Sequence, residues 1–333
     1  MIAKGEVFSL EDEHRSNPIR KLKGIMSRIH EALKKAELEG NEVAAVTDAR
    51  SPEKQTSVTS KREDLVEFTK ISLPPSVGVS ARAASLRFED ISESCAHANW
   101  RPDPLKNVFA GPGLEAAEQF RTLRSRLYHL KAEKPLRVIL VTSALSGDGK
   151  TFVAANLAQA IVRQADRRVL LIDADLRSSG LHIPLGAPAN PGLGEYLGGS
   201  ADEMAVIQHG REGGLYFIAG GKPVSNASEL LSNARLKTLI ERTAPCFDWI
   251  IIDSPPCLPV SDASVIAELC DGILLVVRSG STPSRAAHKA CDELRKRNVI
   301  GIVLNGVNEK SLPYGSYYGQ GQYGQAASAD SGK

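Results

Sequence analysis

The strongest constraint on the fold of this chain is an alternation that starts near residue 96 and runs to about residue 308. Short, continuous apolar runs occur at 137–142 (RVILVT), 168–172 (RVLLI), 215–218 (LYFI), 249–253 (WIIID), 273–277 (ILLVV) and 299–304 (VIGIVL). Helical patterns lie beside or between them at 113–131, 150–164, 227–243, 260–270 and 282–297. A strand that is apolar at every position is buried on both faces, and the neighbouring helices supply the cover. The pattern predicts an α/β fold with a mainly parallel sheet and helices on both sides. Ligands in such folds sit beyond the carboxyl ends of the strands, so the chemistry is sought there.

The rest of the chain reads differently. Its first seventy residues hold 13 basic and 13 acidic side chains, with Phe8 and Phe68 as the only aromatics. Residues 1–95 are therefore expected to be a mostly disordered extension. One exception is a helix near 19–40, where Leu22, Ile25, Ile29 and Leu33 recur at helical spacing and Gly40 supplies a stop. Met26 is an alternative start. At the other end, residues 309–333 form a tail rich in glycine and glutamine, expected to be flexible. Four of the chain's seven tyrosines fall there: Tyr314, Tyr317, Tyr318 and Tyr323.

Bulk properties narrow the function classes. A net charge of +2 gives no reason to expect a nucleic-acid partner. The five cysteines (95, 246, 257, 270 and 291) never reach CxxC spacing, which argues against a disulfide framework or a zinc site. The apolar runs are strand-length, and no apolar leader opens the sequence, so the chain reads as cytoplasmic.

Three motifs carry chemistry. The first strand runs into ALSGDGKT, residues 144–151, which matches a phosphate-binding loop. Gly147 and Gly149 let backbone N–H groups converge on an anion, and the helix that follows adds its positive end. Lys150 reaches the β- and γ-phosphates, and Thr151 offers a hydroxyl to Mg²⁺. Mg-ATP is the expected nucleotide, because no guanine-specific NKxD follows. The second strand ends in IDADLR, which places Asp173 and Asp175 on one side of an extended chain, with Arg177 just beyond. A third strand ends in DSPP, where Asp253 stands as a carboxylate for Mg²⁺ and the two prolines force the chain out of the sheet. Three such motifs, in order at three strand ends, make a P-loop NTPase-like sheet the expected fold.

Together, ALSGDGKT, LLIDADLR, IIIDSPP and the tyrosine-rich tail resemble the bacterial tyrosine kinase (BY-kinase) family, in the type whose cytoplasmic kinase is a separate chain. The match covers about residues 105–325. EQFRTLR, residues 118–124, is similar to that family's ExxRxxR helix. Ser146 and Asp148 stand where the family often has proline and glutamate.

The resemblance implies a protein-tyrosine autokinase of capsule or exopolysaccharide biosynthesis that uses ATP and Mg²⁺. By resemblance Gly147, Asp148, Gly149, Lys150, Thr151 and Phe152 bind the nucleotide. Thr151, Asp175 and Asp253 surround the metal, and Asp173 orients or deprotonates the tyrosine hydroxyl. Asn305 contacts adenine or serves as a turn residue. Glu118, Arg121 and Arg124 assemble a ring of unphosphorylated copies, and the tail tyrosines accept phosphate. The implied partners are a membrane-anchored chain-length adaptor, which recruits the kinase to the inner face of the membrane, and a cognate tyrosine phosphatase. A switch ATPase of the partitioning or division-site type shares the fold but carries an early lysine in the phosphate loop, where this chain has Leu145. A non-catalytic nucleotide-dependent scaffold is the other alternative.

Overall fold

The six apolar runs all become strands, and their side chains divide between the two faces of one sheet. The computed structural model describes residues 4–8, 86–98, 100, 102–103, 105–109, 114–210 and 213–307. The helix expected at 19–40 and the tail tyrosines lie outside them. In chain order the strands are β1 (Lys4–Phe8), β2 (Ala96–Ala98), β3 (Val138–Ser143), β4 (Val169–Asp173), β5 (Ile207–Gly210), β6 (Leu215–Ile218), β7 (Trp249–Asp253), β8 (Gly272–Arg278) and β9 (Val299–Val307). The helices are α1 (Phe88–Ser94), α2 (Leu114–Glu133), α3 (Lys150–Val162), α4 (His182–Leu185), α5 (Leu193–Leu197), α6 (Glu203–Val206), α7 (Ala227–Leu231), α8 (Ala234–Thr243), α9 (Asp262–Ala267) and α10 (Ser284–Glu293).

The sheet order is β1-β9-β8-β3-β7-β4-β6-β5-β2. The six expected strands pair in parallel, while β1 on β9 and β5 on β6 are antiparallel. Successive residues of a strand point to opposite faces, and both faces here are dry. Leu140, Leu170, Ile172, Ile250 and Ile252 join one apolar cluster with side chains of α5, α7, α8, α9 and α10. Ile139, Val141, Leu171, Trp249 and Ile251 join the other, beneath α2 and α3. This two-sided burial is why the runs show no polar alternation.

Departures from expectation have local causes. The helix expected at 227–243 is split at Ser232–Asn233, because the Asn233 side chain accepts the Arg235 N–H (3.2 Å) and caps a new helix. β2 and β5, reading AHA and IQHG, have no apolar run to announce them.

The boundary drawn at residue 95 falls inside the folded unit. Ile91 of α1 is fully buried, and Phe88 meets the rings of Tyr216 and Phe247 edge-on, 5.6 and 6.3 Å between centroids. Lys4–Phe8 pairs with β9 at the sheet's edge. An average over ninety-five charge-rich residues hides a short helix that buries Ile91 and packs Phe88 on the core.

Candidate active site

β3 sits between β8 and β7, and β4 lies beyond β7, so the loops leaving β3, β4 and β7 open at one edge of the sheet. Asp173 and Asp253 are register partners at the ends of β4 and β7. The phosphate loop between β3 and α3 bends through Gly147 (φ 88°) and Gly149 (φ 97°), a region that only glycine enters without strain. Gly149 is the N-cap of α3, so the helix's first N–H groups open toward the loop.

Lys150 lies beneath this loop, its Nζ 3.1 Å from Asp175 Oδ2 and 3.5 Å from Thr151 Oγ1. The Thr151 hydroxyl donates to Asp253 Oδ2 (2.7 Å). Burial works against the lysine's charge, but Asp253, Asp175 and Asp173 outweigh it and hold Lys150 above its ordinary pKa. Burial likewise pushes Asp253 up to about 7, opposed by Lys150 and reinforced by Asp173. Burial also raises Asp173, although it accepts four internal hydrogen bonds. These come from Ser179 Oγ (2.8 Å) and the Gly180 (3.1 Å), Leu181 (3.0 Å) and Asp175 (3.1 Å) amides. Asp173 is thus the hub around which the 174–181 loop is folded, and Asp175 is the carboxylate that faces Lys150.

The donor set suits a small hard cation. Asp253 Oδ1 is buried with no hydrogen-bond partner, and the Thr151 hydroxyl and Asp175 carboxylate stand beside the same lysine. Among the described residues no group of three His, Cys, Asp or Glu side chains could cage a metal. Mg²⁺ needs no such cage, because it is held by one or two carboxylates together with water and substrate phosphates.

Other expected site residues have different surroundings. The Asp148 carboxylate is 2% exposed and turns into the loop's own frame. Only its backbone is suited to meeting a nucleotide. Phe152 packs edge-on against Phe120 of α2, 5.8 Å between centroids. Asn305, at the end of β9, donates from Nδ2 to the Asp148 carbonyl (2.9 Å), so it braces the phosphate loop in this geometry. Arg124 is turned inward and donates to the Ala160 carbonyl (2.6 Å) in the last turn of α3, a favourable place for a cation. Glu118 and Arg121 pair with each other at the surface (2.7 Å). Cys257 is a buried member of the core, and burial pushes its thiol up to about 12.

Arg177, just beyond the second motif, has internal partners. Its guanidinium grips Asp262 of α9 through Nε (2.8 Å) and Nη2 (3.2 Å) and reaches Ser228 Oγ of α7 (2.8 Å). Ser228 also donates to Asp262. Asp262 is fully buried, and burial alone would raise its pKa, but the Arg177 and Ser228 hydrogen bonds hold it below the usual carboxylate value. Arg177→Ala should therefore destabilise the fold by about 2 kcal/mol, less than for a fully buried pair because the guanidinium is partly solvated. A carboxylate with a lowered folded pKa contributes stability above its unfolded pKa and loses it as pH falls through the folded one. The difference in melting temperature between wild type and variant should thus shrink below the ordinary carboxylate range. A constant difference from pH 7 to pH 3 would refute the ion-pair account.

The comparisons agree with this geometry. The model for the CobQ/CobB/MinD/ParA nucleotide binding domain matches residues 139–313. The chain is 36% identical over 208 residues to the tyrosine-protein kinase etk of Escherichia coli K12, covering 62% of this chain and 28% of that protein. It is 34% identical over 206 residues to the tyrosine-protein kinase YwqD of Bacillus subtilis, covering 61% of this chain and 86% of that one. The solved kinase domain of Escherichia coli ETK superposes with a TM-score of 0.56 at 30% identity, over 75% of this chain and 87% of that domain. This chain therefore spans about a quarter of the Escherichia coli protein and most of the Bacillus one. Matched sequence and shared fold point the same way, and the chain belongs to the bacterial tyrosine kinase family.

Proposed function

We propose that the chain is an ATP-dependent protein-tyrosine kinase that phosphorylates its own tyrosine-rich tail. The observation that carries this reading is Lys150, half-buried among Asp175, Asp173 and Asp253 at three strand ends in a chain of this family. Lys150 neutralises the β- and γ-phosphates, the α3 N-terminus holds them, and Thr151, Asp175 and Asp253 hold Mg²⁺. The cation, when bound, supplies charge neutralisation on the phosphates. Asp173 keeps the 174–181 loop in place and orients or deprotonates the incoming hydroxyl.

The distribution of tyrosines supports the tail as substrate. Tyr196 and Tyr216 are buried, and Tyr128 packs against the core, its ring 5.5 Å from that of Trp249. The other four follow β9 in a stretch of glycine and glutamine. From Asn305 to Tyr314 and Tyr323 an extended chain reaches roughly 30 to 60 Å, enough to enter a neighbouring copy's cleft. Self-association into a ring through Glu118 and Arg121 brings tails to neighbouring sites. Arg124 contributes indirectly, by fixing α2 to α3.

No helix among the described residues is long and apolar enough to cross a membrane. We assign membrane recruitment to an adaptor of the polysaccharide chain-length system, with export and chain length as the regulated process and a tyrosine phosphatase to reset the tail. Leu145, half-buried against the core where switch ATPases carry a lysine, disfavours that alternative.

Replacing Tyr314, Tyr317, Tyr318 and Tyr323 by Phe should remove most autophosphorylation and leave nucleotide affinity unchanged. Mass spectrometry of the wild type incubated with Mg-ATP locates the phosphate. Phosphate found mainly on Tyr128, Tyr196 or Tyr216 would sink the tail assignment.

A further inference from the structure

A phosphate loop works only if its N–H groups face the anion, which leaves its carbonyls pointing elsewhere and in need of donors. The ends of β8 and β9 supply them. Arg278 Nη1 donates to the Gly147 carbonyl (3.0 Å), and Asn305 Nδ2 donates to the Asp148 carbonyl (2.9 Å). The Asp148 carboxylate closes the loop on itself by accepting the Leu145 N–H at Oδ2 (2.9 Å). Its other oxygen, Oδ1, accepts from the hydroxyl of Thr282, the residue before Pro283 in the β8–α10 loop (2.6 Å). Thr282 Oγ1 itself accepts the Arg278 N–H (2.9 Å), so its single proton is left for Asp148. Both Asp148 and Thr282 are more than nine-tenths buried, so each bond lies where an unmade partner is costly.

We propose that Thr282, with Asp148, Arg278 and Asn305, forms a set of positioning residues that hold the phosphate loop in its anion-binding shape. None of them need touch the nucleotide through its side chain. They act on affinity because a loop already ordered avoids the entropy of ordering when phosphate arrives. The inference rests on the reading of this site as a nucleotide pocket.

Thr282→Val keeps the shape of the side chain and removes the proton aimed at Asp148, whereas Thr282→Ser keeps the hydroxyl. Calorimetric titration of the full chain with Mg-ATP should show Thr282→Val binding about tenfold more weakly, the size of one charge-assisted hydrogen bond, and Thr282→Ser within about twofold of wild type. Hydrogen exchange in the free protein should speed up at the 145–151 amides in Thr282→Val, with β3, β4 and β7 amides unchanged. That local change separates loop ordering from general destabilisation. Equal affinity of Thr282→Val and wild type, or a Thr282→Ser that binds as weakly as Thr282→Val, overturns the positioning set alone. A wild-type chain that fails to bind Mg-ATP overturns the nucleotide-pocket reading beneath it.

Discussion

Lys150→Met should abolish the proposed tail phosphorylation, measured as incorporation of labelled phosphate from Mg-ATP. The expected loss is at least ~100-fold, because methionine fills the space but brings no charge to the transferring phosphate. The same substitution has a second signature in the free protein. Lys150 is the group that holds Asp253 down, so without it the carboxyl rises further above the value of about 7 that burial gives it. An acid whose folded pKa lies above its unfolded value contributes stability below the unfolded pKa and loses it as pH rises through the folded one. The window runs from about 4, the unfolded value, through 7 and above. The melting temperature of Lys150→Met should thus fall more steeply from pH 5 to pH 8 than that of wild type. A variant that retains wild-type incorporation removes Lys150 from the chemistry, and parallel melting curves refute its electrostatic role.

Gly149→Ala should weaken Mg-ATP binding by about 100-fold, or about 2.7 kcal/mol. Two effects combine. At φ 97° an alanine is strained by about 1–2 kcal/mol, and its methyl group would collide with the Asn305 side-chain amide. Relieving that collision means breaking the Asn305 bond to the Asp148 carbonyl, which loosens the loop it was holding. Asn305→Ala in the same background removes the collision and leaves the backbone strain. The double variant should therefore recover part of the lost affinity. Binding by Gly149→Ala at wild-type strength would show that the loop tolerates both changes and that its tight geometry does not matter.

The sheet and the carboxylate cluster were legible because each is written locally. Strands buried on both faces must be apolar at every position, and a phosphate loop needs glycine, lysine and threonine at neighbouring positions. Asp173 and Asp253 could be placed together from their strand ends alone, and they prove to be register partners. The breadth of the folded unit was not legible. Phe88 finds its partners on Tyr216 and Phe247, more than a hundred residues away, and Ile91 joins the same core cluster.

By itself the sequence determined which strand ends carry the phosphate-loop motif and the carboxylates, since both follow from spacing along the chain. Only the tertiary structure decided what supports them. Asp148 stands in the loop motif, yet its carboxylate is used by Thr282 and Leu145. Arg124 stands in a surface-helix motif, yet its guanidinium caps α3. Asn305 waits at a strand end for adenine by resemblance, yet it holds a carbonyl of the phosphate loop. In each case the partner lies more than thirty residues away or is a backbone atom, and backbone atoms carry no sequence signature. Charge and glycine spacing name a site, but the donors that keep its carbonyls turned away are chosen by proximity that only folding creates.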